Sequence, residues 1–278
     1  MAGIVVVFDF DKTIIDCDSD NWVVDDFGAT ERFDILLETM PWNTAIDKIM
    51  GEIHSQGRAI EEIGDCLTKA PISPHVIKAI KAAHALGCEL RIVSDANTFF
   101  IETILKHHGL IEYFTEINTN PGFVDDEGRL RIFPYHDFTT SSHGCGLCPP
   151  NMCKGIIIER IRASAFSEGK KHLVYLGDGK GDYCPSIKLS EKDYVMPRKS
   201  YPLWELIYTN TQSIKAKVHE WSDGEELEKV LLQLINESLS ADRCDNIVPL
   251  RLAADFKCHT VPLPSSPGAL PKALPVPH

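Results

Sequence analysis

The hydrophobic pattern changes period as the chain advances. Residues 4–8 form a short, continuous apolar run rich in β-branched side chains, which predicts a strand buried on both faces of a parallel sheet. From residue 18 the spacing becomes helical. Segments 18–28, 30–39, 43–56 and 59–69 each repeat apolar residues every three or four positions, as in Phe33, Leu36, Leu37 and in Ile46, Ile49, Met50, Ile53. Pro41, Gly57 and Pro71 punctuate them. No convincing strand lies between Thr13 and Pro71. The pattern therefore predicts an all-helical insertion over residues 17–71, hinged near 16–20 and 70–74.

Alternation of helix and strand then resumes. Ser73 and Pro74 start a helix that stops at Gly87. Strands are expected at 88–93, 113–118, 173–176 and 194–196, a weaker one at 214–219, and a hairpin at 122–135. Helices are expected after Asn97, over 153–166 and over 223–238. The expected fold is Rossmann-like α/β with a parallel sheet. Residues 1–16 and 72–240 make the core, 17–71 a helical cap, and 241–278 a flexible tail rich in proline.

Composition narrows the function. The chain has 278 residues, 44% of them hydrophobic, enough for a large core. A net charge of −12 gives no basic footprint for nucleic acid. No apolar run approaches the ~20 residues of a membrane span. The amino terminus leads straight into the first strand, so no signal peptide is expected, and the nine cysteines are odd in number and scattered. Reduced thiols and a cytoplasmic location are expected. The oligomeric state is left open.

The chemistry begins where the first strand ends. Asp9 and Asp11 can be aimed into one crevice at its carboxyl end, where open α/β sheets place their sites. Two carboxylates so close call for a shared proton or a cation, and a divalent metal is the simpler solution. Alone the pair also fits a solvated acidic turn. Ser94 closes the second strand with a hydroxyl suited to a phosphoryl oxygen, or to an ordinary turn. Asp95 and Asn97 suit the same loop, or cap the next helix. Lys154 opens a helix and can bridge a nucleophile and a transferring phosphoryl group. In Gly177-Asp178-Gly179-Lys180-Gly181-Asp182, three glycines allow tight turning beside a ligand. Asp178 is the better direct ligand for a hard cation; Asp182 binds it directly, or through Lys154 or water. His143, Cys145, Cys148 and Cys153 form a cluster that suits structural zinc or a thiol-lined loop near Cys184, and a single CxxC favours the second.

These motifs, DFDKT, Ser94, Lys154 and GDGKGD in that order, resemble the haloacid dehalogenase (HAD) superfamily. DFDKTIIDCDSDNW, SDAN, CPPNMCKG and GDGKGDYCP resemble, more narrowly, its phosphoethanolamine/phosphocholine phosphatase family. The plant branch of that family includes members described as inorganic pyrophosphatases, and thiamine-phosphate phosphatase relatives. The resemblance spans about residues 3–238. It implies Asp9 as nucleophile and Asp11 as general acid/base. Mg2+ would be held by Asp9, the Asp11 backbone carbonyl and Asp178, with Mn2+ or Co2+ as substitutes. Asp20 and Asp95 match acids implicated in head-group selection. Lys12 departs from the vertebrate pattern, which has Glu there, outside the catalytic pair. An ammonium head group would suit Asp20, Asp95 and the face of Trp22 or Trp42. The expected function is hydrolysis of a small-molecule phosphate, phosphoethanolamine or phosphocholine first. Pyrophosphate and thiamine monophosphate are the alternatives, and a non-catalytic phosphate-binding protein is the rival from another class.

Overall fold

The computed structural model describes residues 3–246, with side chains to residue 240. The apolar run folds as β1 (Ile4–Phe8), every residue of it buried. Four helices make up the insertion that follows: α1 (Ser19–Asp26), α2 (Thr30–Leu37), α3 (Trp42–Ser55) and α4 (Ile60–Leu67). Their helical stripes close on one another, burying Phe33, Leu36, Ile46, Ile49, Met50 and Ile53. The two ends of this insertion meet where the Asp16 N–H donates to the Pro71 carbonyl at 2.8 Å.

The alternation that follows is α5 (Pro74–Ala85), β2 (Glu89–Asn97), α6 (Thr98–His107), β3 (Phe114–Asn120), then the hairpin β4 (Gly122–Val124) and β5 (Leu130–Ile132). After a long loop come α7 (Lys154–Ser167), β6 (His172–Gly177), α8 (Tyr183–Ile187), β7 (Tyr194–Pro197), α9 (Pro202–Thr209), β8 (Lys217–Val218) and α10 (Gly224–Asn246). Ser73 accepts from the His75 N–H and caps α5, with Pro74 at its first position.

Among the described residues the main sheet has six parallel strands in the order β3-β2-β1-β6-β7-β8. Helices cover both faces. Ile4, Val6 and Phe8 join the core shared with α5, α6 and α10, while Val5 and Val7 pack with Ile157, Ile158 and Ile161 of α7. The chain order reverses at β1, so a crevice opens beyond the carboxyl ends of β1, β2 and β6.

Three boundaries differ from the sequence reading. β2 runs on through Ser94-Asp95-Ala96-Asn97, because Asn97 pairs with Asn120 of β3 across a bulge. α8 and α9 were not expected; at five and eight residues they are too short to show a clear period. The expected tail begins too early, since α10 continues to Asn246, and the remainder lies outside the described residues. No described helix is long and apolar enough to cross a membrane.

Candidate active site

Asp9 leaves β1 almost fully buried, at 6% exposure. Its Oδ1 accepts from the Phe10 N–H at 2.7 Å and lies 2.9 Å from Lys154 Nζ. Among the described residues no hydrogen bond falls on Oδ2. Lys12 then takes a left-handed conformation, φ 54°, and turns the chain back so that its N–H reaches the Cys17 carbonyl. Asp11 is thereby directed to the insertion, where its carboxylate accepts from the Ser19 N–H at 3.0 Å. Arg198, just past β7, clamps this loop from outside. It donates to the Lys12 carbonyl at 2.6 Å, pairs with Asp16 at 3.0 Å and stacks over Tyr201 and Trp221.

Lys154 is buried at the first position of α7, held by Asp9 and by Asp182 at 2.8 Å. Burial works against its charge, but Asp182 and Asp9 outweigh that and lift its pKa well above the ordinary value. Asp182 spends both oxygens inside the protein. Oδ1 accepts from Lys154 and from the Tyr175 hydroxyl at 2.6 Å; Oδ2 accepts from the backbone of Asp178 and Gly179. Despite its closeness to Asp9 and Asp178, it is an anchor for the lysine rather than a free ligand. Burial opposes its ionisation, yet Lys154 and these donors hold its pKa below the usual carboxylate range.

Asp178 follows β6 and faces the same cleft, with Thr13 Oγ1 at 3.5 Å. Burial, then the Asp182 charge, raise its pKa to about 7. Burial and the same neighbour push Asp9 well above its ordinary value. The group comprises three carboxylates, Asp9, Asp178 and Asp182, around one buried ammonium. That leaves uncompensated negative charge, so the donor set fits a divalent cation between Asp9 and Asp178. Burial and the nearby Asp18 and Asp20 raise Asp11 as well, which favours its protonated form.

Two cavities meet here. The smaller, about 160 Å³, is lined by Asp9, Asp11, Ser94, Lys154 and Asp178 among others. The larger, about 520 Å³, is lined by Asp20, Trp42, Pro149, Asn151 and Lys180 and shares Asp11, Asp18, Asp95 and Gly181 with the first. Asp20 is 5% exposed. Its Oδ2 accepts from Trp42 Nε1 at 2.7 Å, while Oδ1 is buried without a partner. Burial and Asp18 raise its pKa to about 7. Asp95 accepts from Asn151 at 3.4 Å, and burial raises it too.

Of the residues singled out in the sequence, Asp9, Asp11, Ser94, Asp95, Lys154, Asp178 and Asp182 line one cavity and Asp20 the adjoining one. Asn97 lines neither; its Oδ1 caps α6 through the Phe100 N–H at 3.0 Å. The α1 cap is Asp18, whose carboxylate accepts from the Asn21 N–H. Trp42, not Trp22, borders the larger cavity, since the Trp22 indole donates to the Cys66 carbonyl inside the helical insertion. Tyr175, Asn151 and Arg198 were missed. A tyrosine inside an apolar strand reads as core, and Asn151 showed only as part of a loop.

The model of a family described as Putative Phosphatase matches residues 4–235. The chain is 62% identical to Inorganic pyrophosphatase 2 of Arabidopsis thaliana, over 86% of each protein. It is 54% identical to the Thiamine phosphate phosphatase-like protein of the same plant, over 85% of this chain and 97% of that one. Among solved structures, a HAD family hydrolase from Salmonella enterica superposes with a TM-score of 0.58 at 14% identity, covering 83% of this chain and 71% of that chain. That likeness carries the fold alone; the family match and the plant relatives carry the family. The family match and the plant relatives thus assign the chain, which has the fold of a HAD hydrolase: it belongs to the Putative Phosphatase family.

Proposed function

We propose that this phosphatase is Mg2+-dependent and hydrolyses small phosphomonoesters with cationic leaving groups, phosphoethanolamine and phosphocholine first, through a phosphoaspartate on Asp9. One observation carries the reading: a phosphate-sized cavity at Asp9 opens into a larger one whose walls hold Asp11, Asp18, Asp20 and Asp95. The phosphoryl group fits the first and the alcohol the second.

Asp9 attacks phosphorus through Oδ2, while Oδ1 stays held by Phe10 and Lys154. Lys154 and the Ser94 hydroxyl hold phosphoryl oxygens as charge develops on them. Protonated Asp11 delivers its proton to the leaving oxygen, and as a carboxylate it then takes one from the water that cleaves the phosphoaspartate. Mg2+, when held by Asp9 and Asp178, supplies the positive charge that the cluster lacks. Asp20, with one oxygen free of partners, and the Trp42 indole offer an anion and an aromatic face to an ammonium group. Seven described cysteines are free, which supports a reducing, cytoplasmic setting.

Pyrophosphate is the second reading, favoured by the name of the Arabidopsis relative. Its anionic leaving group gains nothing from an acidic wall unless Mg2+ masks its charge. The test is kcat/KM for phosphoethanolamine, phosphocholine, pyrophosphate and thiamine monophosphate, side by side, in wild type, Asp20→Asn and Asp95→Asn. A lost charge-assisted contact is worth about 1.5–3 kcal/mol, so each variant is expected to lose at least ~10-fold more on phosphoethanolamine than on pyrophosphate. Equal losses would assign these acids to the fold. A larger loss on pyrophosphate would make pyrophosphatase the lead. A chain that turns over no phosphate ester with Mg2+ present would be a binding protein.

A further inference from the structure

Four cysteines converge outside the catalytic cleft. The sulfur atoms of Cys145, Cys148, Cys153 and Cys184 lie within 4.8 Å of one another. Cys145 and Cys148 belong to the long loop before α7, Cys153 is the residue that caps α7, and Cys184 sits in the first turn of α8. Cys153 and Cys184 are buried and the other two half-buried, and all four are free.

The spacing is informative. Cys145 and Cys184 are 3.7 Å apart at sulfur, and Cys153 and Cys184 are 4.0 Å apart. An ion with Zn–S bonds of about 2.3 Å and tetrahedral angles sets its sulfur–sulfur edges at about 3.8 Å. Thiols that merely pack have no reason to bring four sulfurs from separate segments to one point. Backbone N–H groups also point at the sulfurs, Gly155 at Cys184 and Ile156 at Cys153, as donors around a bound metal do. Gly155 is required there, because a Cβ would stand 2.4 Å from Cys184 Sγ. His143, expected as a ligand from the spacing, is excluded: its ring nitrogens meet the Cys145 N–H and the Pro149 carbonyl.

We propose that Cys145, Cys148, Cys153 and Cys184 bind a structural Zn2+ as four thiolates, stapling the 145–153 loop and the start of α7 to α8. Four protein ligands leave no open position, which marks a structural rather than a catalytic site. Each thiol releases its proton to solvent as the ion binds. The staple sits beside the chemistry without entering it. Cys153 precedes Lys154 and Cys184 follows Asp182 by two residues, so the ion fixes the two segments joined by the Lys154–Asp182 bond.

The test uses the full chain, purified without chelator, and reads metal content by elemental analysis. One zinc per chain is expected, released by a thiol-reactive mercurial. Cys148→Ser and Cys184→Ser are expected to lose it, whereas Cys88→Ser keeps it. Cobalt substituted for zinc should show thiolate-to-metal charge-transfer absorption in wild type and lose it in Cys148→Ser. Should Cys184→Ser fail to fold, the half-buried Cys148 position and the wild-type cobalt spectrum decide. A folded, zinc-free protein whose four thiols are alkylated equally fast with and without added Zn2+ would overturn the proposal. A disulfide between any two of them in freshly purified protein would do the same.

Discussion

At the scale of the residue, the site works by giving similar carboxylates different surroundings. Asp182 is saturated with donors and stays ionised, while Asp9, Asp11 and Asp178 are buried among like charges. Asp9→Asn removes the nucleophile at nearly constant shape. It is expected to lower kcat by at least ~10³-fold with an unchanged circular dichroism spectrum and no drop in thermal midpoint. Asp20 makes a prediction about pH. Its pKa is raised to about 7, so it is neutral below that value and anionic above it. The ratio of kcat/KM for phosphocholine to that for an aryl phosphate is therefore expected to climb as pH rises through about 7. Ionisation of the phosphate is common to both substrates and cancels. In Asp20→Asn the ratio should be flat, and an equal climb there would assign the titration elsewhere. Most of these residues were legible in the sequence because each follows a strand or opens a helix in a recognisable order. Asn97 was ambiguous, since the geometry that caps a helix also suits a ligand. The sequence could not show that Cys184 rather than His143 completes the cysteine cluster, because that pairing depends on how α7 packs against α8.

At the scale of the element, what matters is how closely the loops after β1, β2 and β6 approach. Gly177 ends β6 where a Cβ would lie 2.5 Å from Asp182 Cγ, and Gly181 where it would lie 3.1 Å from Asp95 Oδ2. Gly177→Ala must displace Asp182 and with it Lys154. A loss of about 1–3 kcal/mol in denaturant unfolding is expected, with a fall in kcat. Gly64→Ala is the control: it lies inside α4 with nothing within 4 Å of the added carbon, so a gain of about 0.5–1 kcal/mol is expected. Wild-type stability in Gly177→Ala would contradict the close approach. Helix and strand periodicity made the long elements legible. It failed at β2, where polar Ser-Asp-Ala-Asn is held extended by pairing with β3, and at α8, a helix too short to show a period.

At the scale of the molecule, the parallel sheet holds a cluster of acids that it does not neutralise on its own. Asp178, ordinarily near 3.8, is raised to about 7, so the metal-free folded chain binds a proton that the unfolded chain gives up. That contribution to stability is fully present below the ordinary value and lost as pH rises through about 7. Mg2+ binding the folded state restores it. Denaturant midpoints in chelator and in Mg2+ are therefore expected to diverge above pH ~7 and to converge near pH ~5. A metal effect of equal size at both would contradict the assignment of the cleft. The α/β alternation and the helical insertion were legible from periodicity. The meeting of the two cavities was not, because it depends on how the packing of α1 and α3 brings Asp20 and Trp42 together beside the cleft. The central claim is that phosphorus passes through Asp9, and rapid acid quench during turnover of phosphoethanolamine tests it most directly. Peptide mass analysis should find one phosphoryl group on the peptide carrying Asp9, and none in Asp9→Asn. Turnover that proceeds with no phosphorylated peptide, or with the group on another residue, would contradict it.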